Sequence, residues 1–291
     1  MPKSRIVYVS LLLVVLAACA KKEVMVPSYV YLKAPGLNTK ADNSQGMASA
    51  LVEDLYVFSN GETRGVMSVG STIPLQNTGK TTVKIGAGIK LNGMAEQKAI
   101  YPMFNYYEQV LDLSAEKVDT IKTVFTYVEN AIFPMIEDYE TNGFELQYNP
   151  QYKLTGDTLV RDNSAAAWKP GTYSGRVMLN SPNAGTFMEL YSNVYNNWPR
   201  FTPFFLEMDY KGNIPIIIGL YATDNQGVTK QFPIYVAYPK SGWNKLYFNL
   251  ASEINLRDPN TQYRVFLRFS KESNVSNPEA WIDNLKVVYL D

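Results

Sequence analysis

The chain has no histidine, and Cys19 is its only cysteine. Without histidine there can be no Ser-His-Asp or Cys-His nucleophile system, and no imidazole-held zinc or copper. Side chains whose ordinary pKa lies near neutrality are missing too. A single cysteine rules out an internal disulfide and a thiolate metal cluster, and a body free of cysteine suits an oxidising compartment. Net charge is also absent, because 27 Lys and Arg balance 27 Asp and Glu. No global field draws nucleic acid or an anionic membrane, so nucleic acid is not expected as a partner. Hydrophobic residues make up 46% and charged residues 19%, a balance that suits packed cores, and 291 residues are enough for two ordinary domains.

The apolar stretches present are short. Met1-Pro-Lys-Ser-Arg5 precedes the run Ile6 to Leu16, which ends in Leu16-Ala17-Ala18-Cys19. A basic start, a short apolar run and small residues before a cut form a secretory signal, whereas a membrane-spanning helix needs roughly 20 apolar residues. Leu-Ala-Ala-Cys resembles the lipobox of bacterial lipoproteins. The resemblance implies cleavage after residue 18 and diacylglycerol on the Cys19 sulfur, with a further acyl chain such as palmitate on its amine. Each buried methylene contributes about 0.8 kcal/mol, so several chains anchor durably where one does not. The expected location is the outer membrane. Bacteroidetes-type lipoproteins exported to the surface carry an acidic cluster after the cysteine, whereas this chain has Ala20-Lys21-Lys22-Glu23, so the membrane face stays open.

Beyond the leader, no sustained 3.6-residue apolar period is found. Runs rich in Val, Ile, Tyr, Phe and Thr, bounded by Gly, Pro, Asn and Ser, predict an all-β protein. The expected division is a signal at 1–18, an anchor and small β-sandwich at 19–128, a linker at 129–142 and a jelly roll at 143–291. The linker is placed by Pro134 and the acidic Glu137-Asp138-Tyr-Glu140. In the first half, strands are expected at 29–32, 51–58, 65–69, 81–85, 99–104 and 118–127, with a hairpin at Asn60-Gly61 and a turn at Asn92-Gly93. The stretch from Leu55 to Ile89 resembles the PEGA-type, Ig-like domains of bacterial envelope proteins, with Asn60 in place of their usual aspartate.

The second half resembles galactose-binding-like jelly rolls, the fold of many carbohydrate-binding modules. The likeness rests on Asn142-Gly-Phe-Glu145, Trp168 before Tyr173 to Leu179, Gly242-Trp-Asn-Lys-Leu to Leu250, Tyr263 to Phe269, and Trp281-Ile-Asp-Asn to Tyr289. Tyr263 to Phe269 alternates as a half-solvated strand should, and the wholly apolar Ile216 to Tyr221 predicts a central one. Trp168, Trp243 and Trp281 are expected in the core. In calcium-containing jelly rolls an acidic residue on the first strand and one on the last help hold a structural ion. The resemblance therefore implies calcium at Glu145 and Asp283; the alternative is two carboxylates hydrogen-bonded at strand ends. No other cofactor is required.

Trp198, within Tyr195-Asn-Asn-Trp-Pro-Arg-Phe201, falls in a polar loop. With Asn197 and Arg200 it has the composition of a sugar- or partner-contacting site; the alternative is a ring folded back over the sandwich edge. Thr78-Gly-Lys-Thr-Thr82 lacks the earlier glycine of a phosphate loop, and Gly86-Ala-Gly88 lacks a third glycine, so no nucleotide is expected and the former predicts a hairpin turn. Glu207/Asp209 and Glu137-Asp138-Glu140 are nominal carboxylate pairs for glycoside hydrolysis, with nothing else around them to support it. The sequence thus points to a non-catalytic envelope lipoprotein that binds a glycan or an envelope protein. The alternatives are a scaffold subunit of an outer-membrane complex, and a glycoside hydrolase.

Overall fold

The computed structural model describes residues 26–181, 187–272 and 274–291. The leader and Cys19 lie outside the described residues. Eight strands build the first half: β1 (Ser28–Asn38), β2 (Asp54–Ser59), β3 (Glu62–Ser68), β4 (Thr72–Leu75), β5 (Gly79–Lys90), β6 (Lys98–Ile100), β7 (Tyr107–Leu113) and β8 (Val118–Thr126). They form a three-stranded sheet, β4-β1-β8, facing a sheet in which β5 pairs with β2, β6 and β7. Val30, Leu32, Leu55, Val57, Val83 and Ile85 point between the two and are fully or almost fully enclosed.

The β2–β3 hairpin turns at Asn60 (φ 49°) and Gly61 (φ 82°), both left-handed as such a two-residue turn requires. Thr78 to Thr82 corrects an expectation, since it is no hairpin. β4 and β5 lie in different sheets, so the chain crosses the sandwich there, and Lys80, Thr81 and Thr82 are already paired along β5 with β7.

The second half contains β9 (Ala131–Glu137), β10 (Gln147–Tyr148), β11 (Thr158–Asp162), β12 (Ser174–Met178), β13 (Phe187–Tyr191), β14 (Phe204–Gly212), β15 (Ile216–Thr223), β16 (Thr229–Ala237), β17 (Lys240–Asn249), the one-turn helix α1 (Ala251–Asn255), β18 (Gln262–Ser270) and β19 (Glu279–Leu290). A five-stranded sheet, β10-β13-β18-β15-β16, faces a six-stranded one, β11-β12-β19-β14-β17, in which β9 also pairs with β19. The architecture is all-β: two β-sandwiches in tandem, the second a jelly roll. As expected from its apolar run, β15 is internal, between β18 and β16.

Residues 129–142, expected as a linker, hold β9 instead. Leu285↔Glu137, Lys286↔Ile136 and Val287↔Met135 are in register, then a bulge follows before Tyr289↔Ile132. Pro134 falls in that bulge, on a strand with a single neighbour, where its missing N–H breaks no ladder.

β14 shows how the halves meet. Phe204, Leu206 and Met208 face the jelly-roll core, whereas Phe205, on the opposite side, joins Tyr247 and Val288 in the core of the first sandwich. The outer face of the six-stranded sheet is therefore covered by the first half. Polar groups line this seam as well. Glu207 accepts from the hydroxyls of Tyr101 (2.6 Å) and Tyr127 (2.9 Å), and Asp209 accepts from Ser49. Lys245 Nζ lies 3.3 Å from Glu207 and 3.5 Å from Asp209. Lys286 donates to the Met47 carbonyl (2.7 Å).

Candidate functional site

The five-stranded sheet has the other outer face of the jelly roll, and alternation decides what it shows. On β18, Val265, Leu267 and Phe269 enter the core, which sends Arg264, Phe266 and Arg268 outward. On β13, Met188 and Leu190 enter it, which sends Phe187, Glu189 and Tyr191 outward. Register then places Glu189 directly opposite Arg268, and Tyr191 opposite Phe266. Tyr221 on β15 and Gln231 on β16, paired with each other, extend the row.

Glu189 is the hub and is wholly enclosed. Its Oε1 accepts from Tyr221 OH (2.5 Å) and Asn149 Nδ2 (2.8 Å). Its Oε2 accepts from Arg268 Nε (3.0 Å) and Nη2 (2.8 Å) and from Gln231 Nε2 (2.8 Å). Gln231 Oε1 in turn accepts from Arg268 Nη2 (2.8 Å). A buried carboxylate is tolerated when paired and hydrogen-bonded in this way. Burial and the Glu189 bond push the Tyr221 phenol well above its ordinary range, so it stays a neutral donor at physiological pH.

Rings flank the network. The Arg268 guanidinium lies 4.2 Å from the Phe187 ring centre and 5.4 Å from that of Tyr152. Arg264 lies 4.6 Å from the Tyr191 ring centre. Phe187, Tyr152 and Tyr191 are all half-buried. Phe266 occupies the space left by Gly219, where an added Cβ would sit 2.5 Å from its ring and against the Phe232 carbonyl. Flat half-exposed rings beside fixed amide, phenol and guanidinium groups are the chemistry that stacks on a sugar ring and bonds its hydroxyls.

The residues expected from the sequence lie elsewhere. Trp198 is 4% exposed, stacked on Tyr263 (4.9 Å, 8°) and Tyr195 and tilted against Phe204. Its expected role as a ligand platform is therefore corrected, because both faces of the indole are used inside the sandwich. Asn197 is exposed and takes a left-handed turn (φ 57°), while Arg200 donates to the Asn255 carbonyl (2.6 Å). What this loop displays is Phe201, 79% exposed at φ 60°, its N–H held by Asn255 Oδ1 (2.7 Å).

Glu145 and Asp283 each have their own hydrogen-bond partners. Glu145 accepts from Asn193 Nδ2 (3.1 Å), and β10 begins two residues after it. Asp283 accepts from Ser174 Oγ (2.7 Å) and Asn284 N–H (2.7 Å). Burial pushes its carboxyl up to about 8, those two bonds oppose the rise, and Asp209 and Asp138 add to it. Among the described residues no group of three or more Asp, Glu, His or Cys could hold a metal.

The nominal hydrolase carboxylates are also engaged. Glu207 and Asp209 are sealed in the seam. Glu137 accepts from the N–H groups of Tyr139 (2.9 Å) and Glu145 (2.6 Å), and Glu140 from those of Thr172 (2.7 Å) and Tyr173 (3.0 Å). Trp168 and Trp281 are buried as expected, whereas Trp243 is half-buried and donates to the Ala166 carbonyl (3.1 Å).

No protein-family model matches the sequence, and no curated protein does. Solved structures similar to it include the C-terminal family 22 carbohydrate-binding module of Clostridium thermocellum Xyn10B, at 12% identity over 54% of this chain and 94% of that one, with a TM-score of 0.37. Another is the CBM22-1 xylan-binding domain of Paenibacillus barcinonensis Xyn10C, at 8% identity over 56% and 98%, with a TM-score of 0.39. A third, from work on carbohydrate-binding modules of the β-sandwich superfamily, shares 13% identity over 81% and 85%, also at 0.39.

Proposed function

We propose that this chain is a non-catalytic envelope lipoprotein that binds glycan on the outer face of the five-stranded sheet. One observation carries the binding role: the Glu189 hub fixes Arg268, Gln231 and Tyr221 beneath the half-exposed rings of Phe187, Tyr152 and Tyr191. A face whose donors are already immobilised loses little entropy when a saccharide binds. The anchoring role rests on Leu16-Ala17-Ala18-Cys19.

The test is a glycan array followed by affinity electrophoresis with Phe187→Ala and Tyr152→Ala, their folding checked by circular dichroism. Retention of a glycan by the parent and its loss in folded variants is expected. Silence across the array, or unchanged retention in both variants, refutes the site. Anchoring is tested separately, by mass spectrometry of the native N-terminus. Diacylglyceryl-modified Cys19 is expected, and an unmodified thiol refutes it.

A protein partner, the second reading, is favoured by Phe201. A bulky residue held in left-handed backbone with its ring in solvent costs about 1–3 kcal/mol, which a docking contact would offset. Phe201→Gly should leave glycan retention intact while abolishing co-purification of a fixed membrane partner.

A further inference from the structure

The seam between the sandwiches opens on one side into a groove of about 650 Å³, within the roughly 300–1,000 Å³ of small-ligand sites. Both halves build it, and their positions are fixed. Asn92 (φ 57°) and Gly93 (φ 73°) turn the first half onto β17. There the Asn92 N–H donates to the Tyr247 carbonyl (2.9 Å) and Asn92 Oδ1 accepts from the Asn249 N–H (2.9 Å). On the facing wall, Tyr235 stacks on Phe248 (4.9 Å, 18°) and donates to the Asn249 carbonyl (2.7 Å). The groove is therefore preformed and needs no closure.

Two of its groups have unused capacity. Tyr238 is 71% exposed, and among the described residues its ring has no aromatic or cationic neighbour. Lys240 at the rim has no side-chain hydrogen bond or ion-pair partner among the described residues, whereas the neighbouring Lys90 is paired with Glu53 (2.5 Å). Lys245, its side chain 2% exposed, lines the floor. Its ammonium is enclosed between Glu207 (3.3 Å) and Asp209 (3.5 Å) and is closed to the groove. The lining thus has one unpaired positive charge at the rim and, two residues before it in the chain, a free flat ring.

We propose that this groove is a second saccharide site, selective for acidic oligosaccharides. A sugar ring stacks on Tyr238, and its carboxylate faces Lys240. The site is independent of the outer face of the five-stranded sheet.

The experiment is isothermal titration of the full chain with galacturonan, glucuronan and mannuronan oligomers, each beside its methyl-esterified form. It is run on the parent chain, Lys240→Gln, Tyr238→Ala and Phe187→Ala. At least one acid form is expected to bind about two- to fivefold more tightly than its ester, the range of an exposed ion pair. That preference should vanish in Lys240→Gln, affinity should fall several-fold in Tyr238→Ala, and both should persist in Phe187→Ala. Absence of binding by every acid form, equal affinity for acid and ester, or a preference that survives Lys240→Gln overturns the proposal. Loss in Phe187→Ala alone also overturns it, by moving the site to the sheet face. Neutral-glycan binding lost in Phe187→Ala but kept in Lys240→Gln would support the first site whatever the fate of the second.

Discussion

Asp283→Asn isolates one buried proton. The Asp283 carboxyl is 1% exposed, and burial raises it from 3.8 to about 8. Between about pH 4 and pH 8 the folded chain keeps a proton there that the unfolded chain releases. Stability from this group is thus fully present below pH 4, declines as pH rises, and is gone above about 8. At about 1.4 kcal/mol per pH unit, the roughly three units between the free value and pH 7 amount to about 4 kcal/mol. Asparagine has a similar neutral shape at every pH and can keep hydrogen bonds toward Ser174 and the Asn284 N–H. The variant should match the parent near pH 4, exceed it by up to about 4 kcal/mol at pH 7, and show no further gain above pH 8.5. Lys286, which burial lowers to about 8, does not confound the comparison, because its stability change comes as pH rises from 8 toward 10.5. Urea unfolding of both chains at pH 4, 5.5, 7 and 8.5 measures the difference. A difference that does not grow with pH would refute the reasoning.

Other perturbations follow from packing. Trp198→Ala removes a ring packed on both faces and should cost about 3–5 kcal/mol in urea unfolding, so any binding lost with it would report unfolding. Arg268→Met strands Glu189 without its cation and should cost about 3–5 kcal/mol; adding Glu189→Gln should recover much of that in a double-mutant cycle. Gly219→Ala drives a methyl into the Phe232 carbonyl and the Phe266 ring, and a loss of about 1–3 kcal/mol is expected by thermal melting. Excess chelator should leave the melting temperature unchanged, and a fall of several degrees would restore calcium to Asp283.

Alternation made much of the fold legible. Tyr263 to Phe269 announces its own inward and outward faces, and Asn60-Gly61 announces its hairpin, because period and turn chemistry are local properties. β9 was hidden because Pro134 and its acidic neighbours have the composition of a joint. The pairing that overrides them lies some 150 residues away on β19, where no local signal reaches. The two readings of Trp198 could not be separated for the same reason, since the polar residues around it describe the loop while Tyr263 and Phe204 decide that the ring folds back. The Glu189 hub did leave a trace. Phe187-Met-Glu-Leu-Tyr191 and Arg264-Val-Phe-Leu-Arg268 each alternate apolar residues with charged or aromatic ones, and that pattern puts Glu189 and both arginines on outer faces. What neither run contains is the register that sets Glu189 against Arg268.

A two-sheet sandwich has two outer faces, and here they have opposite fates. Phe205, Tyr247 and Val288 commit the six-stranded face to the core of the first sandwich. Of the charges that accompany them, Glu207, Asp209 and Lys245 are paired within the seam and Lys286 is bonded to the Met47 carbonyl, so separating the halves would expose apolar surface and leave a bonded cluster incomplete. The two sandwiches therefore share one continuous core across the seam. The five-stranded face is left uncovered by the first half, and so is the rim of the seam, where Lys240 and Tyr238 stand beyond the reach of the cluster. A carboxylate sealed beneath another domain serves cohesion. One at the centre of an open sheet, as Glu189 is, serves to aim the arginine, amide and phenol around it.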